Sequence, residues 1–476
     1  MTETDPFDRW TAREQEAEAL IPIIGRLHRE HSVTITVHSK TLVSKSAVSI
    51  LKAHRFARQV EGEELSVHET KPVIELIADL QPGPARIDVG AIVKGFKASG
   101  GSDLRAYVEE QLAPALGAGK QAPSGPRDVV LYGFGRIGRL VARILIEKAE
   151  SNSGLRLRAV VVRRSGENDL QKRASLLRRD SIHGAFNGSI LVDEARDTIT
   201  ANGQAIRFIY SNDPTAIDYT EYGIERAILI DNTGRWRDRE GLAQHLRPGI
   251  DKVVLTAPGK GDVPNIVHGV NHDTVDPAER ILSCASCTTN AIVPPIKAME
   301  DRFGIVSGHV ETVHSFTNDQ NLADNYHKAD RRGRAATLNL VITETGAASA
   351  IKKALPDLQA HITGNAIRVP TPDVSIAVLN LRLARPTTRE EVLEHLREVS
   401  LRGPLKRAID FTTAKDAVST DFLGSRSASI VDGNATIVHD DTAILYLWYD
   451  NEFGYSTQVV RVVQTISGNE VPTLPA

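Results

Sequence analysis

Two side chains in the second half of the chain have the chemistry of a nucleophile and its base. Cys287 stands in the segment Ser-Cys-Ala-Ser-Cys-Thr-Thr-Asn, residues 283–290, between two short apolar runs. At the start of a helix a cysteine feels the positive end of the helix dipole, which lowers the pKa of its thiol, and free backbone N–H groups there can hold an oxyanion. His314 follows in a strand-like run that leads into a polar loop. A cysteine and a histidine brought together by the fold form an activated nucleophile and its base.

A glycine motif earlier in the chain predicts a dinucleotide site. The buried-strand pattern of residues 128–132 runs directly into Gly133-Phe134-Gly135-Arg136-Ile137-Gly138, and a segment with helical apolar spacing follows. Such a motif is weak by itself. When it follows a strand and opens a helix, it is typical of a site where the glycines allow a tight turn and the pyrophosphate rests on the helix N-terminus.

Five motifs in order resemble the glyceraldehyde-3-phosphate dehydrogenase family. They are residues 285–290, the segment around His314, and residues 345–348, 368–372 and 448–452. The resemblance runs from about residue 127 to the C-terminus and does not cover the first 125 or so residues. It implies a reversible enzyme of glycolysis or gluconeogenesis that oxidises glyceraldehyde 3-phosphate through a Cys287 thioester to 1,3-bisphosphoglycerate, with inorganic phosphate and NADP and/or NAD.

The resemblance also implies which residues bind the substrates and the cofactor. The substrate phosphate would contact Thr317, Asp319 and Arg368. The attacking phosphate would contact a second set, namely Ser286, Thr288, Arg332, Thr345 and Gly346. Arginine forks and hydroxyls suit phosphate oxygens independently of the resemblance. The cofactor would contact three segments. They are the glycine loop (Gly133, Gly135, Arg136, Ile137 and Gly138), the end of a later strand (Thr233 and Gly234) and the C-terminal motif (Asn451 and Tyr455).

Arg163 and Arg164 favour NADP over NAD. They come directly after the strand pattern of residues 157–162, where a NAD site usually places an acidic residue that binds the ribose 2′-hydroxyl. A guanidinium cannot accept from that hydroxyl, but it can pair with a 2′-phosphate. The segment Asn168-Asp169-Leu170 resembles the acidic turn of the family and lies only a few residues later, so NAD use stays open. A cofactor site with NADP(H) would suit a gluconeogenic direction.

Two alternative functions, and one question about the cysteine pair, accompany this interpretation. Erythrose-4-phosphate dehydrogenase is related, shares the cysteine and histidine, and makes a free acid by hydrolysis. A regulatory or partner-binding protein that acts through residues 1–126 belongs to another class. Cys284 and Cys287 form a Cys-x-x-Cys pair, but no second ligand pair accompanies it, so no metal site is predicted. A reversible disulfide between the two is a further hypothesis.

The composition is that of an ordinary globular protein. The chain has 476 residues, of which 41% are hydrophobic and 25% charged, with a formal net charge of −3. These values give no argument for nucleic acid or an acidic membrane surface as a partner. There is no long apolar run or leader, and two cysteines three residues apart favour a reducing compartment. We expect a cytoplasmic protein, and the resemblance implies a homotetramer.

The length predicts more than one domain. Residues 1–126 read as a mainly helical extension and linker, with helices over residues 10–30, 41–60, 72–80 and 102–116, an ambiguous piece at 88–95 and a linker at 117–126. Residues 127–286 alternate strands and helices and predict an α/β domain of the Rossmann type, completed by a C-terminal helix over residues 451–476. Residues 287–450 carry longer β-branched strands and predict an α+β catalytic domain with a mostly antiparallel sheet.

Overall fold

The computed structural model describes residues 5–117, 125–149 and 154–475. Its described part contains an N-terminal helical extension, a Rossmann-type sheet and a second, mostly antiparallel sheet. These features confirm the predicted fold class. Most of the predicted linker, residues 117–126, lies outside the described residues.

The extension has five helices around a small sheet. The helices are α1 (Pro6–His31), α2 (Ala47–Glu61), α3 (Val67–Leu80), α4 (Val89–Ser99) and α5 (Leu104–Leu112), and the strands are β1 (Val33–Val37), β2 (Lys40–Thr41) and β3 (Ala85–Asp88). The ambiguous piece at 88–95 is the start of α4, because the Asp88 carboxylate accepts from the N–H groups of Gly90 and Ala91 at 3.1 Å each. The predicted helix over 41–60 begins only at Ala47, after the Ser46 cap.

The Rossmann-type domain follows. Its strands and helices are β4 (Arg127–Tyr132), α6 (Arg136–Ala149), β5 (Leu155–Val162), α7 (Asp169–Arg178), β6 (Arg179–Asp180), β7 (Gly184–Ala185), β8 (Ile190–Asp193), β9 (Thr198–Ala201), β10 (Gln204–Tyr210), β11 (Ala227–Asp231), α8 (Arg239–Ala243), β12 (Ile250–Leu255) and β13 (Ile281–Ser283). The main sheet has the order β13-β12-β11-β4-β5-β10-β9-β8 and is parallel from β13 to β10. The chain order reverses at β4, so the glycine loop that follows β4 lies at the switch point where ligands bind in such sheets.

The catalytic half consists of a second eight-stranded sheet covered by helices. Its elements are α9 (Cys287–Phe303), β14 (Ile305–Ser315), β15 (Val341–Thr343), α10 (Ala347–Ala354), β16 (His361–Val369), β17 (Ser375–Leu383), α11 (Arg389–Leu401), β18 (Ile409–Thr412), β19 (Ser429–Asp432), β20 (Ile437–His439) and β21 (Thr442–Tyr449). The sheet order is β15-β16-β14-β17-β21-β19-β18, and β20 pairs with β21. The register pairs His314 on β14 with Arg368 on β16.

The C-terminal segment ties the parts of the chain together. Helix α12 (Phe453–Ile466) packs on α6, and its Tyr455, Val459 and Val463 lie in the core of the Rossmann-type domain. This helix ends earlier than residue 476. The chain then continues into β22 (Thr473–Leu474), which pairs in parallel with β3 and completes the extension's sheet in the order β2-β1-β3-β22.

None of the helices in the described residues has both the length and the apolar character needed to cross a lipid bilayer.

Removing the last five residues should loosen the extension selectively. Truncation after Val471 deletes β22, including the Pro472 carbonyl that accepts from the Arg86 N–H at 2.8 Å and the Leu474 side chain that is buried in the extension's core. We expect faster hydrogen exchange at β3, because its outer edge loses its pairing partner. Hydrogen-exchange mass spectrometry checks this, with β4 and β5 as the internal control. Unchanged exchange at β3 would contradict the expectation.

Candidate active site

Cys287 is the first residue of α9, and the preceding residue caps the helix. The Ser286 hydroxyl accepts from the Thr289 N–H at 3.0 Å. The Asn290 side chain reaches back and donates to the carbonyl oxygens of Cys284 at 2.8 Å and of Ser286 at 2.9 Å. The cap and the amide together hold the turn that presents Cys287 at the helix N-terminus, as the sequence predicts.

The residue two positions before Cys287 has a strained backbone that a side chain from α12 supports. Ala285 has φ of +54°, a conformation that costs free energy for a residue with a Cβ atom. The Tyr455 hydroxyl donates to the Ala285 carbonyl oxygen at 2.9 Å and is buried. The sequence predicts Tyr455 near the cofactor. In the structure its hydroxyl supports the nucleophile's loop, and the contact with a cofactor stays a prediction.

The Cys287 thiol and the His314 imidazole are in contact. The Sγ atom lies 3.4 Å from Nε2. The other ring nitrogen, Nδ1, lies 2.7 Å from the Ser315 carbonyl oxygen and 2.8 Å from an Arg368 nitrogen. Two acceptors at 2.7 Å would repel, so we assign the proton to Nδ1, which donates to the carbonyl. The Arg368 nitrogen is then a charge contact, and the Nε2 lone pair faces the thiol.

Burial keeps this pair neutral in the unliganded chain. Burial raises the pKa of the Cys287 thiol, although Arg368 and the Thr288 N–H partly offset that rise. Burial and the Arg368 charge lower the pKa of His314 to about 3. The sequence predicted a lowered pKa for the thiol from the helix dipole alone. The structure reverses that direction because desolvation of the thiolate outweighs the dipole.

Arg332, Thr317 and Asp319 form one cluster. Arg332 makes an ion pair with Asp319 and lies 3.4 Å from the Thr317 hydroxyl, which itself donates to Asp319. The resemblance placed Arg332 with the attacking-phosphate residues instead. In the structure Arg332 contacts Thr317 and Asp319, two residues that the resemblance assigns to the substrate phosphate, and which phosphate it binds stays a prediction. Arg334, two residues after Arg332, pairs with Asp324 at 2.9 Å instead.

The other predicted phosphate contacts are hydroxyls and a helix start. The Thr288 hydroxyl lies 3.1 Å from the Tyr449 hydroxyl, and Thr345 Oγ1 accepts from the Ala347 N–H at 3.2 Å. Gly346 precedes α10 and gives it no side-chain cap, so the N–H groups that follow that of Ala347 in the first turn can face an anion. With Ser286 at the start of α9, these residues supply hydroxyls and N–H groups suited to phosphate.

The glycine loop has the shape that a pyrophosphate needs. Gly133 has φ of +94°, and a Cβ atom there would lie 3.0 Å from Thr233 Cγ2. A Cβ atom on Gly138 would lie 2.5 Å from the Gly133 carbonyl oxygen, so helix α6 could not approach the strand as closely. A Cβ atom on Gly135 would meet nothing within 4 Å. Two glycines are therefore required by packing, and the third leaves an open surface for a ligand.

Contacts within the protein hold the side chains that lie around the glycine loop. Ile137 packs against the domain core, and Arg136 is bound to Glu452 and to Asp180, so its backbone rather than its guanidinium is available to a cofactor. Thr233 donates twice to Asp231, and Gly234 turns the chain with φ of +60°.

Asn451 has one end of its amide fixed. Its Oδ1 accepts from the Ser375 hydroxyl at 2.7 Å, and Ser375 also accepts from the Ser315 N–H at 3.1 Å. The Asn451 nitrogen makes no hydrogen bond with a described residue, which suits the predicted contact with a nicotinamide carboxamide. Ser375 was not singled out from the sequence, because nothing in the pattern shows that it bridges the histidine strand and the Asn451 motif.

Arg163 and Arg164 directly follow β5, as the sequence predicts. Arg164 lies over the Tyr210 ring, 3.7 Å from its centroid, and 3.4 Å from Asp197. Both arginines are exposed. The alternative acid, Asp169, is buried in the first turn of α7.

Both Asp169 oxygens are already engaged. Asp169 accepts from the Ser165 N–H at 2.9 Å and pairs with Arg173 at 2.5 Å. It therefore organises the turn after β5 and has no free oxygen aimed at a ribose.

Tyr449 was also missed by sequence reasoning. Its hydroxyl bonds Thr312 at 2.7 Å as well as Thr288, and its ring meets the His314 ring edge-on with centroids 5.9 Å apart. Tyr449 lies in the recognised motif of residues 448–452, but its type could equally serve a sheet core. The register with Ser375 on β17 places it under the histidine.

A buried charge cluster joins the two domains beside the site. His183 is 3% exposed, and its Nε2 lies 3.2 Å from both Asp373 and Glu452, while Nδ1 lies 4.0 Å from Asp450. Burial disfavours the imidazolium, but the bonds to Asp373 and Glu452 and the charge of Asp450 raise the pKa of His183 to about 9. Burial and Asp373 raise the pKa of Asp450 to about 7.

The same cluster bears on the prediction of no metal site. Among the described residues, His183, Asp373 and Asp450 have donor atoms within 4.8 Å of one another. The charged His183 ring and Arg136 already offset part of the carboxylate charge there, which favours the prediction that no metal binds. The structure does not test that prediction.

Both cysteines are free thiols, and Cys284 is fully buried, which raises the pKa of its thiol. The disulfide hypothesis is untested.

Two family models match the chain. The model described as the glyceraldehyde 3-phosphate dehydrogenase NAD binding domain matches residues 127–239, and the model described as the C-terminal domain of that enzyme matches residues 286–451.

Curated relatives agree with the family models. A glyceraldehyde-3-phosphate dehydrogenase-like protein of Pseudomonas aeruginosa is 57% identical over 460 residues, which is 96% of this chain and 100% of the relative, so the similarity includes the extension. Glyceraldehyde-3-phosphate dehydrogenase 2 of Trichormus variabilis is 39% identical over 342 residues, 71% of this chain and 98% of the relative. Glyceraldehyde-3-phosphate dehydrogenase of Shimwellia blattae is 39% identical over 341 residues with the same coverage.

The His183 cluster predicts a loss of stability at alkaline pH. Because the pKa of His183 in the folded chain is about 9 and that of an unfolded histidine is about 6.5, its contribution is fully present below about pH 6.5 and is lost as the pH rises through about 9. Unfolding experiments between pH 6 and 9.5 should show this decline, and His183→Gln should flatten it.

The exposed His439 provides the matched control. His439→Gln should keep the wild-type pH dependence. An unchanged alkaline decline in His183→Gln would contradict the assignment of a charged His183.

Proposed function

The chain belongs to the glyceraldehyde-3-phosphate dehydrogenase family of phosphorylating oxidoreductases, and on that premise we propose that it oxidises glyceraldehyde 3-phosphate through a thioester on Cys287. The observation that carries the proposal is the 3.4 Å contact between the Cys287 thiol and Nε2 of His314, the ring nitrogen to which we assign no proton. It supplies a nucleophile and a base in one geometry at the start of a helix.

In the proposed reaction, the thiol adds to the aldehyde carbon while His314 Nε2 takes the thiol proton. The resulting hemithioacetal oxygen is held by the Cys287 N–H and by the protonated imidazole. The bound dinucleotide supplies the hydride acceptor that converts the hemithioacetal to a thioester. Inorganic phosphate then attacks the acyl carbon, the C–S bond breaks, and the acyl phosphate leaves with Cys287 restored. The steps are reversible.

Substrate binding should help the pair to ionise. Arg368 lowers the pKa of His314, because its charge lies beside Nδ1. A phosphate that binds Arg368, Arg332 and Thr317 brings negative charge to this position and offsets the arginine. The imidazolium formed during attack then becomes less costly. We propose that the substrate's own phosphate contributes in this way to activation of the nucleophile.

We propose NADP as the preferred cofactor and NAD as a weaker one. Arg163 and Arg164 support this preference by their place directly after β5, and Asp169 supports it because its carboxylate is buried and already bound by Ser165 and Arg173. The stacking of Arg164 on Tyr210 limits the rotamers of that guanidinium, which reduces the entropy cost of binding a 2′-phosphate. NADP(H) use would suit the reductive, gluconeogenic direction. A homotetramer remains a prediction from the resemblance.

Replacing the reacting pair should separate chemistry from folding. We expect no measurable rate for Cys287→Ser and a fall in kcat of about 10²–10⁴-fold for His314→Gln, because the base is lost. Initial rates of reduced-cofactor formation measure both. Cys284→Ala is the matched control, since its buried thiol is not part of the pair, and it should keep most of the wild-type rate.

Phosphate dependence distinguishes the two candidate reactions. Without inorganic phosphate, an acyl adduct on Cys287 should accumulate and be visible by mass spectrometry after acid quench, and added phosphate should discharge it. A turnover rate that is independent of phosphate would instead favour hydrolysis and the erythrose-4-phosphate alternative.

The cofactor preference has its own test. With wild-type protein, kcat/KM should be higher for NADP than for NAD. Arg164→Ala should raise the KM for NADP about tenfold, as expected when a charge-assisted hydrogen bond is lost, and leave the KM for NAD unchanged. Arg196→Ala, which removes an exposed arginine paired with Asp193, serves as the control. Equal losses with both cofactors would contradict the role of Arg164.

A further inference from the structure

The extension and the rest of the chain enclose a cavity of about 930 Å³. Its walls come from the β1–β2 turn and α2 in the extension, from β18 and the residues after it in the catalytic half, and from α6 and α12. None of the residues assigned above to catalysis, phosphate binding or cofactor binding lines it. The volume lies within the range of about 300–1,000 Å³ that small-molecule sites occupy.

The wall of this cavity carries an excess of positive charge. Nine lysine and arginine side chains line it, against five carboxylates. Four of the cations, Arg86, Lys148, Arg407 and Arg461, come from four separate parts of the chain. Burial, and then the neighbouring cations, lower the pKa of Arg86 to about 9 and also lower the pKa values of Lys148 and Arg461. The fold therefore brings like charges together in a partly enclosed space.

Three of the five carboxylates in the wall are already paired with cations. Glu147 pairs with Arg426 at 2.5 Å, and Asp410 pairs with Lys40 at 2.6 Å. Glu470 lies 3.9 Å from Arg407 and 3.7 Å from His268. Each of these carboxylates thus has a cationic partner without using Arg86, Lys406 or Arg461.

Three cations are consequently left without a carboxylate partner in the described part of the chain. Arg86 donates to the Ser39 carbonyl oxygen at 2.9 Å, and Arg461 donates to the Gln458 side chain at 3.0 Å and to a backbone carbonyl. Lys406 is half-buried, and its ammonium forms no ion pair or hydrogen bond with a described residue. The Asp88 charge favours the charged forms of Arg86 and Lys406, but the Asp88 oxygens accept from four backbone N–H groups and form no ion pair with either cation. Buried charge that is not fully offset is costly, so the arrangement is suited to an anion that enters from solvent.

We propose that this cavity binds a small organic phosphate ester that carries at least two negative charges. Arginine forks and several hydroxyls, including those of Ser39, Ser400 and Thr457, match phosphate oxygens. Apolar side chains of Phe56 and Phe422 lie in the same wall and can contact the organic part.

The ligand acts on the catalytic site through two helices. Arg461 and Gln464 belong to α12, which begins two residues after Asn451 and carries Tyr455 against the nucleophile's loop. Lys148 lies near the end of α6, whose first turn carries the glycine loop, and its ammonium donates to Gln464 at 3.0 Å. A polyanion that draws Arg461 and Lys148 together shifts α12 and α6, and the other ends of these two helices form the cofactor site. The bound polyanion thereby changes the affinity of the chain for the dinucleotide.

Binding to the full-length chain tests the site. Fructose 1,6-bisphosphate and inorganic pyrophosphate are the probes, and melting temperature and isothermal titration calorimetry are the readouts. Either probe should raise the melting temperature by about 2–3 °C at roughly 100 times its dissociation constant. The double variant Arg86→Gln with Lys406→Gln should abolish this shift, and without ligand it should melt no lower than wild type because like charges have been removed.

Arg332→Gln, which alters the catalytic cleft, is the comparison variant and should keep the shift. A shift that survives in the cavity variant and disappears in Arg332→Gln places the probe in the cleft and overturns the proposal, as does the absence of binding by both probes. Equal stabilisation by citrate at matched ionic strength overturns the phosphate assignment.

Should the double variant not fold, Lys406→Gln alone carries the test, because that side chain has no partner to lose. Calorimetry needs no turnover, so its result is independent of the proposed reaction.

Discussion

The contact between Cys287 and His314 is the constraint that the rest of the catalytic half satisfies. It joins the first residue of α9 to the next-to-last residue of β14, so the start of a helix and the end of a strand must meet within 3.4 Å. The Ser286 cap and Asn290 fix one partner, and Tyr449 and the Ser315 carbonyl fix the other. Because both groups are buried, the charged form of each is disfavoured.

Helix α12 connects this constraint to the remainder of the molecule. Asn451 lies two residues before the helix begins, and Tyr455 in its first turn donates to the loop that precedes Cys287. The apolar face of the helix forms part of the Rossmann-type core. The His183 cluster lies at the same end and links Arg136 to Glu452, just before the helix. A shift of α12 would therefore alter the cofactor site and the nucleophile together. That is why a ligand held by Arg461, further along the same helix, can act on catalysis without touching the substrate.

The sequence predicted those features whose signal is local. The glycine motif after a strand, the cysteine at a helix start and the helical periodicity of the extension each depend on neighbouring residues, and the structure has all three. The small sheet of the extension was missed, because β1 and β3 lie about 50 residues apart and β22 comes from the other end of the chain. The grouping of Arg332 with Asp319 and the lowered pKa of His314 also depend on contacts between distant segments, which no local pattern encodes.

The extension is integral to the fold rather than attached to it. An independent domain would bury its own charges or leave them in water. Here Arg86 of β3 instead points into a wall shared with Arg407 and Arg461, and the last strand of the chain completes the extension's sheet. Bringing these cations together weakens the interface unless an anion offsets them. In the proposed reaction the catalytic cleft also binds an anion, the substrate phosphate beside Arg368, and turnover removes it. In the cavity no reacting group is present, so an anion bound there persists through turnover, and its occupancy follows its concentration in solution.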